Sequence, residues 1–156
     1  MALYEYSIRP AGVVGKAQAH DLDCSYKDLT QVMRAIRDQP VRKAYRILEE
    51  AIDGKHAIRY TKFAKGSGHR SELGGKTGRY PKKECRLSLK LLQNAAANAM
   101  AQGLEEDSLY VRHAAAYKQS VFRRYRQFWV SGTVLGYGKN ATWANYETAH
   151  MEIIVS

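Results

Sequence analysis

Between Lys55 and Lys90 eleven basic residues stand against two acidic ones, Glu72 and Glu84, and Gly66, Gly68, Gly74, Gly75 and Gly78 fall among them. Cations at this density neutralise phosphate, and glycine lets backbone amides approach a phosphate oxygen because no Cβ intervenes. The candidate RNA contacts here are Arg59, Lys62, Lys65, His69, Arg70, Lys76, Arg79, Lys82 and Lys83. Pro81 opens a helix directly after them, so the unpaired N–H groups of a helix start join the same cations. The plainer alternative is a flexible loop with solvated charges. A second cluster runs from Lys118 to Trp129, where Lys118, Arg123, Arg124 and Arg126 interleave with Phe122, Tyr125, Phe128 and Trp129. Guanidinium forks pair with phosphate, and rings stack on bases. A strand packing its aromatics on a core would alternate in the same way. From 118 to 146, however, there is more chain than a small sheet needs, and an extended hairpin held in an RNA mould would use it.

Other chemistries find little support. Gly78-Arg79-Tyr80 lacks the ending of a nucleotide-binding P-loop, and His20, His56, His69, His113 and His150 are scattered without a metal-binding or catalytic spacing. Cys24 and Cys85 are far apart and outside any C-x-x-C pair, so they read as reduced thiols on half-buried helix faces. Asp28, Asp38, Asp53 and Asp107 fall at helix boundaries, where capping accounts for them. We expect no catalytic residue, no metal and no cofactor. The formal net charge of +10 calls for a polyanion, and no run approaches the roughly 18 apolar residues of a membrane span, so nucleic acid is expected as the partner and a membrane is not. The first residues carry no basic, apolar and small-residue succession of an export signal, which points to the cytoplasm.

The elements that must position these residues follow from periodicity. Ser25 and Asp28 make a capping pattern ahead of Leu29, Val32, Met33 and Ile36, which predicts a helix over about Tyr26 to Arg37. Pro40 then starts a second helix lined by Val41, Ala44, Tyr45, Leu48, Ala51 and Ile52 and stopped by Gly54. The glycines predict that Ala64 to Arg79 is a loop with little structure of its own, disordered without RNA. A third, long helix follows Pro81, with Cys85, Leu89, Leu92, Ala96, Ala99 and Met100 toward the core and Gly103 as its stop. Ala95 to Ala97 and Ala99 leave that helix thin enough for another helix or an RNA backbone to come close. Beyond Leu104 the period becomes two: Leu109 to Tyr117 and Met151 to Val155 predict strands, and Tyr4 to Ile8 is a candidate third. The expected class is α+β: one domain over 1–156, a small antiparallel sheet with three helices, a basic glycine-rich loop at 54–80 and an extended β-hairpin at 118–146.

Gly68-His69-Arg70, Gly78-Arg79-Tyr80-Pro81-Lys82-Lys83, Leu91-Leu92-Gln93-Asn94-Ala95, Asn98-Ala99, Gly103-Leu104, Ser108-Leu109, His113 and His150-Met151-Glu152-Ile153-Ile154-Val155 occur in an order that resembles a known family. It is the universal large-subunit ribosomal protein numbered twenty-two in bacteria and seventeen in eukaryotes. Arg34-Ala35-Ile36 adds to the likeness, which spans essentially the whole chain, and the basic insertion before the third helix resembles the archaeal and eukaryotic branch. The resemblance implies a non-enzymatic constituent of the large subunit that binds rRNA, supports assembly beside neighbouring ribosomal proteins and lines the nascent-polypeptide exit tunnel with its hairpin. It implies a cytoplasmic ribosome, with a nucleolar stage if the source is eukaryotic. Phe128, Trp129, Ser131 and Gly132 would then line the tunnel. Family hairpins carry arginines through the bend, whereas Gln127 to Gly138 here contains no charged residue. Two rivals belong to other classes: an extraribosomal RNA-binding or RNA-chaperone module, and a small nuclease, which would need acids clustered in one pocket.

Overall fold

The computed structural model describes residues 5–124 and 144–156. Three helices cover one face of a three-stranded antiparallel sheet, and a second, smaller sheet sits beside them. The order along the chain is β1 (Gly15–Leu22), α1 (Tyr26–Ile36), α2 (Val41–Asp53), β2 (Ile58–Arg59), β3 (His69–Arg70), β4 (Lys76–Arg79), α3 (Lys82–Ala101), β5 (Val111–Arg124) and β6 (Ala144–Val155). This is the expected α+β class.

The helices form where periodicity and caps placed them. The Ser25 hydroxyl accepts from the Asp28 amide at 3.4 Å and starts α1, and Leu29, Val32, Met33 and Ile36 are buried along one stripe. Burial of such side chains stabilises by about 1.5–3 kcal/mol each. Gly54 ends α2 at φ +83°, a conformation that a Cβ disfavours, and Lys55 donates back to Glu50 O at 2.8 Å. In α3 the buried face is Cys85, Leu91, Leu92, Ala95, Ala96 and Ala99. Met100, expected in the core, is exposed, and Leu89 is only partly buried, because the helix turns its alanines rather than its larger side chains to the sheet. What fits against those alanines is β1. A Cβ on Gly15 would lie 2.2 Å from Ala95 O and 2.7 Å from Ala99 N, so strand and helix meet backbone to backbone. The thin face of α3 is filled from within the body.

The main sheet has the order β1-β6-β5, with Gly15 opposite Val155 and Val155 opposite Val111. The third strand is thus Gly15–Leu22 and not Tyr4 to Ile8: residues 5–8 form no strand, and Tyr4 lies outside the described residues. Instead the chain around Ser7 lies on the sheet's second face, where Glu152 and Ile154 are buried as fully as Ile153 and Val155 on the first. Both faces of this strand are therefore interior. A register shift between Val111 and His113 similarly buries Ala114 as well as His113 and Ala115 and breaks the simple alternation.

β1 follows β6 only as far as Leu22 opposite Ala149. Beyond Lys118 opposite Ala149, β5 and β6 continue as a two-stranded ribbon to Arg124 opposite Ala144. At its root both flanking strands shift register, and Asp21 and Gln119 exchange two hydrogen bonds of 2.8 Å.

Candidate nucleic-acid interface

The segment expected to be an unstructured loop holds the small sheet, of order β2-β4-β3, with Ile58 opposite Arg79 and His69 opposite Thr77. Its strands are too short for a hydrophobic period to announce them, and polar side chains fix them in place. Buried Gln31 of α1 presents Oε1 to the amides of Thr61 at 3.1 Å and Lys62 at 3.4 Å. Tyr60 is buried and donates its hydroxyl to Asp28 at 2.7 Å; burial, with that hydrogen bond second, pushes its phenol well above the usual range. Thr77 Oγ1 donates to Tyr60 O at 3.0 Å, and Tyr60 N donates to Thr77 O at the same distance.

Two arginines expected to meet phosphate are braces of this sheet. Arg79 donates from Nε to Ser67 Oγ at 2.7 Å and from Nη2 to Lys65 O at 2.9 Å, and its guanidinium lies 5.5 Å from the Tyr60 ring centre. Arg70 donates to Gly78 O at 3.2 Å and lies 5.1 Å from the Tyr80 ring centre. Both are half-buried. His69 sits with Nδ1 2.6 Å from Gly75 O; a carbonyl only accepts, so Nδ1 carries the hydrogen.

The remaining cations, Arg59, Lys62, Lys65, Lys76, Lys82 and Lys83, are exposed. Lys83 lies 3.2 Å from Asp23, and Lys82 and Lys83 begin the 20-residue α3. Both acidic residues of the segment are turned to internal tasks. Glu72 accepts from the Tyr80 hydroxyl, which holds its carboxyl below the usual range, and Glu84 is buried with Oε1 3.3 Å from the Ser25 amide. The exposed cations of the segment therefore outnumber its one unburied carboxylate, Glu72. Lys118, on β5, is paired with Glu147 at 2.6 Å. Arg123 and Arg124 stand in the ribbon opposite Asn145 and Ala144. Arg126, Phe128, Trp129, Ser131 and Gly132 lie outside the described residues.

One constellation has the composition of a hydrolase triad. Ser7, His113 and Glu152 meet beneath the N-terminal segment, with His113 Nε2 3.0 Å from Ser7 Oγ and 2.8 Å from Glu152 Oε1. In a working triad serine and acid take opposite nitrogens of the imidazole, so that the ring can pass a proton. Here both share Nε2, and the Ser7 hydroxyl and amide donate to Glu152. Burial pulls the Glu152 carboxyl up, but the bonds from Ser7 and His113 outweigh it and hold it below the usual range. The cluster pins the N-terminal segment to β6. Cys24 and Cys85 are both buried, more deeply than expected, and Cys24 precedes the cap of α1 rather than lying on a helix. Burial pushes their thiols up to about 11 and about 12. Among the described residues no three metal-binding side chains cluster.

The chain has relatives among known proteins. The family described as ribosomal protein L22p/L17e matches residues 17–156. The chain belongs to that family. Similar relatives include the large ribosomal subunit protein uL22 of Sulfolobus acidocaldarius, 38% identical over 120 residues that span 74% of this chain and 77% of that one. The uL22 proteins of Methanopyrus kandleri and Methanothrix thermoacetophila are 34% and 33% identical and span 97% and 100% of this chain, with 94% and 98% of their own. This L22p/L17e member is thus of the archaeal type, a structural protein of the large ribosomal subunit and not an enzyme. The sequence pointed to the charged residues and to Asp28 as a cap, but not to Gln31 or Tyr60, which with Asp28 shape their scaffold. The signal that could have found Gln31 is an amide within the apolar stripe Leu29, Val32, Met33 and Ile36.

Proposed function

We propose that this chain binds large-subunit rRNA through the face built by β2, β4, β3 and the start of α3, and that it supports assembly of the subunit beside neighbouring ribosomal proteins in the cytoplasm. In this reading the β5–β6 ribbon, continued through Arg126, Phe128, Trp129, Ser131 and Gly132, runs along the tunnel that conducts the nascent polypeptide.

The observation that carries the rRNA reading is that buried Glu84 is taken up by the Ser25 amide and Glu72 is held by the Tyr80 hydroxyl, while Arg59, Lys62, Lys65, Lys76 and Lys82 are all exposed. Such a surface gains affinity by releasing the counterions condensed on a phosphate chain. Support for the tunnel reading comes from the ribbon, which leaves the shelter of β1 after Ala149 and exposes Val121 and Phe122. A free two-stranded ribbon is marginally stable in water, so a surrounding wall of RNA suits it.

The test is binding to large-subunit rRNA across a series of salt concentrations. Each phosphate contact adds roughly 0.7–0.9 to the slope of log affinity against log salt. Replacing Arg59, Lys62, Lys76 and Lys82 by Gln should flatten that slope by about three. Arg70 and Arg79 are kept, because their loss would undo the sheet rather than remove a contact. An unchanged slope would remove these four side chains from the interface.

A further inference from the structure

Phe63 has a backbone that phenylalanine seldom adopts, φ +56°, and a ring that is 44% exposed. In the left-handed region the Cβ crowds the following carbonyl, so a bulky residue persists there only where its surroundings over-determine the turn. The surroundings are visible. Gln31 fixes the two preceding amides, and Arg34 Nη1 donates to Thr61 Oγ1 at 2.6 Å, so the chain is clamped to α1 immediately before the strained residue. A glycine or asparagine would satisfy that turn with less strain. The chain instead carries a large ring and points it toward solvent.

The ring does not stand alone. Tyr26, the first residue of α1, meets it edge-on, with ring centres 6.1 Å apart and planes at 72°. Lys27 Nζ is 5.7 Å from the Phe63 centre and 6.0 Å from that of Tyr26, and Lys118 Nζ is 5.8 Å from the Tyr26 centre. The nearest carboxylates are engaged: Glu147 by Lys118, Asp28 by the Tyr60 hydroxyl and Asp23 by Lys83. An exposed apolar ring set among ammonium groups suits a ligand with a flat π-face and an attached negative charge. A nucleotide has both, and an unpaired one leaves its base free to stack. An apolar protein partner would have to desolvate the lysines without replacing their hydration.

We propose that Phe63, with Tyr26 near it at a steep angle, Lys27 beside both rings and Lys118 beside that of Tyr26, is a stacking site for an unpaired base of single-stranded RNA. The inference rests on the rRNA reading and adds a base-contacting position to a surface otherwise described by phosphate contacts. The site lies between the small sheet and the root of the β5–β6 ribbon, so it would fix the position of a strand passing from one to the other.

The full chain tests it, with large-subunit rRNA and a short single-stranded oligoadenylate as probes. Phe63→Ala should weaken oligoadenylate binding by about 5- to 100-fold while leaving the salt slope unchanged, since no phosphate contact is lost. Phe63→Trp should keep the affinity and show fluorescence quenching on binding beyond that of the parent, which carries Trp129 and Trp143. Replacing the oligonucleotide by an abasic one should abolish the quenching. Phe63→Gly removes the ring and the strain together, so it should bind as weakly as the alanine variant with a melting temperature equal to or above the parent's. Parent-like affinity of Phe63→Ala, equal quenching by the abasic strand, or a lower melting temperature in Phe63→Gly with unchanged affinity would overturn the proposal and leave a packing residue. Failure of the parent to bind rRNA at all would remove the reading beneath it, a distinguishable result.

Discussion

The two sheets among the described residues have three antiparallel strands each and are held together by opposite means. In β1-β6-β5 the strands are eight residues or longer, and Met151, Ile153 and Val155 join the helix stripes in one apolar core. In β2-β4-β3 the strands have two to four residues, and Gln31, Asp28, Thr77, Arg70 and Arg79 tie side chain to backbone and to one another. Apolar burial is non-directional and scales with area, so the first sheet can absorb register shifts and still stay shut. Hydrogen bonds are directional and contribute only about 0.5–1.5 kcal/mol each, so the second depends on each partner being in place. The first sheet is a body. The second is a mount for cations, held by polar groups.

Glycine substitution gives the widest separation between the two. Gly15→Ala would drive a Cβ into Ala95 O and Ala99 N, backbone atoms of α3 that cannot step aside. We expect a loss of roughly 3 kcal/mol or more, visible in chemical denaturation of the whole chain, since overpacking against backbone falls at or beyond the upper end of such penalties. A parent-like midpoint would mean that β1 can leave α3 freely. The second expected effect is at the polar latch of the apolar sheet. Glu152→Gln keeps the shape but removes the charge that Ser7 and His113 engage, at a cost of about 1–3 kcal/mol. Because the folded carboxyl sits below its unfolded value of about 4.3, its contribution is present above that pH and disappears as pH falls through the lowered folded value. The variant should therefore lose less stability than the parent on acidification below about pH 4.3, measured by urea melts; parallel acid limbs would exclude the mechanism. The smallest effect belongs to the polar sheet. Gly78→Ala meets Leu73 Cδ1 at 2.5 Å, a flexible chain end, and Ile58 O at 3.0 Å. About 1 kcal/mol is expected, confined to the small sheet and read as faster amide exchange at Tyr60 and Gly78 with little change in global melting. A global loss equal to that of Gly15→Ala would erase the distinction between body and mount.

The same contrast explains what the sequence made legible. The helices were readable because Leu29, Val32, Met33 and Ile36, and Val41, Ala44, Leu48 and Ala51, repeat at 3.6 and end on Ser25 and Gly54. The strand β1 was not, since Gly-Lys-Ala-Gln-Ala-His has weak strand propensity and owes its place to Gly15 against the alanines of α3. Strands in the glycine-rich segment were hidden by shortness, and charge alone does not say that Arg70 and Arg79, expected among the RNA contacts, also hold Gly78 O and Ser67 Oγ. Lys62, Lys65 and Lys76, expected among the RNA contacts, are exposed. Phe63 was invisible, because an aromatic in a left-handed turn leaves no mark on periodicity.

The central position of β6 bears on the order in which the molecule is put together. Among the described elements β1 is made first and β6 last, yet it is β6 that β1 pairs with there, and Ser7 waits for Glu152 on the same strand. A chain emerging stepwise can close its helices locally, but the first strand stays unpaired, an open hydrogen-bonding edge, until the last one arrives. Growth and closure thus run in opposite directions along this polypeptide.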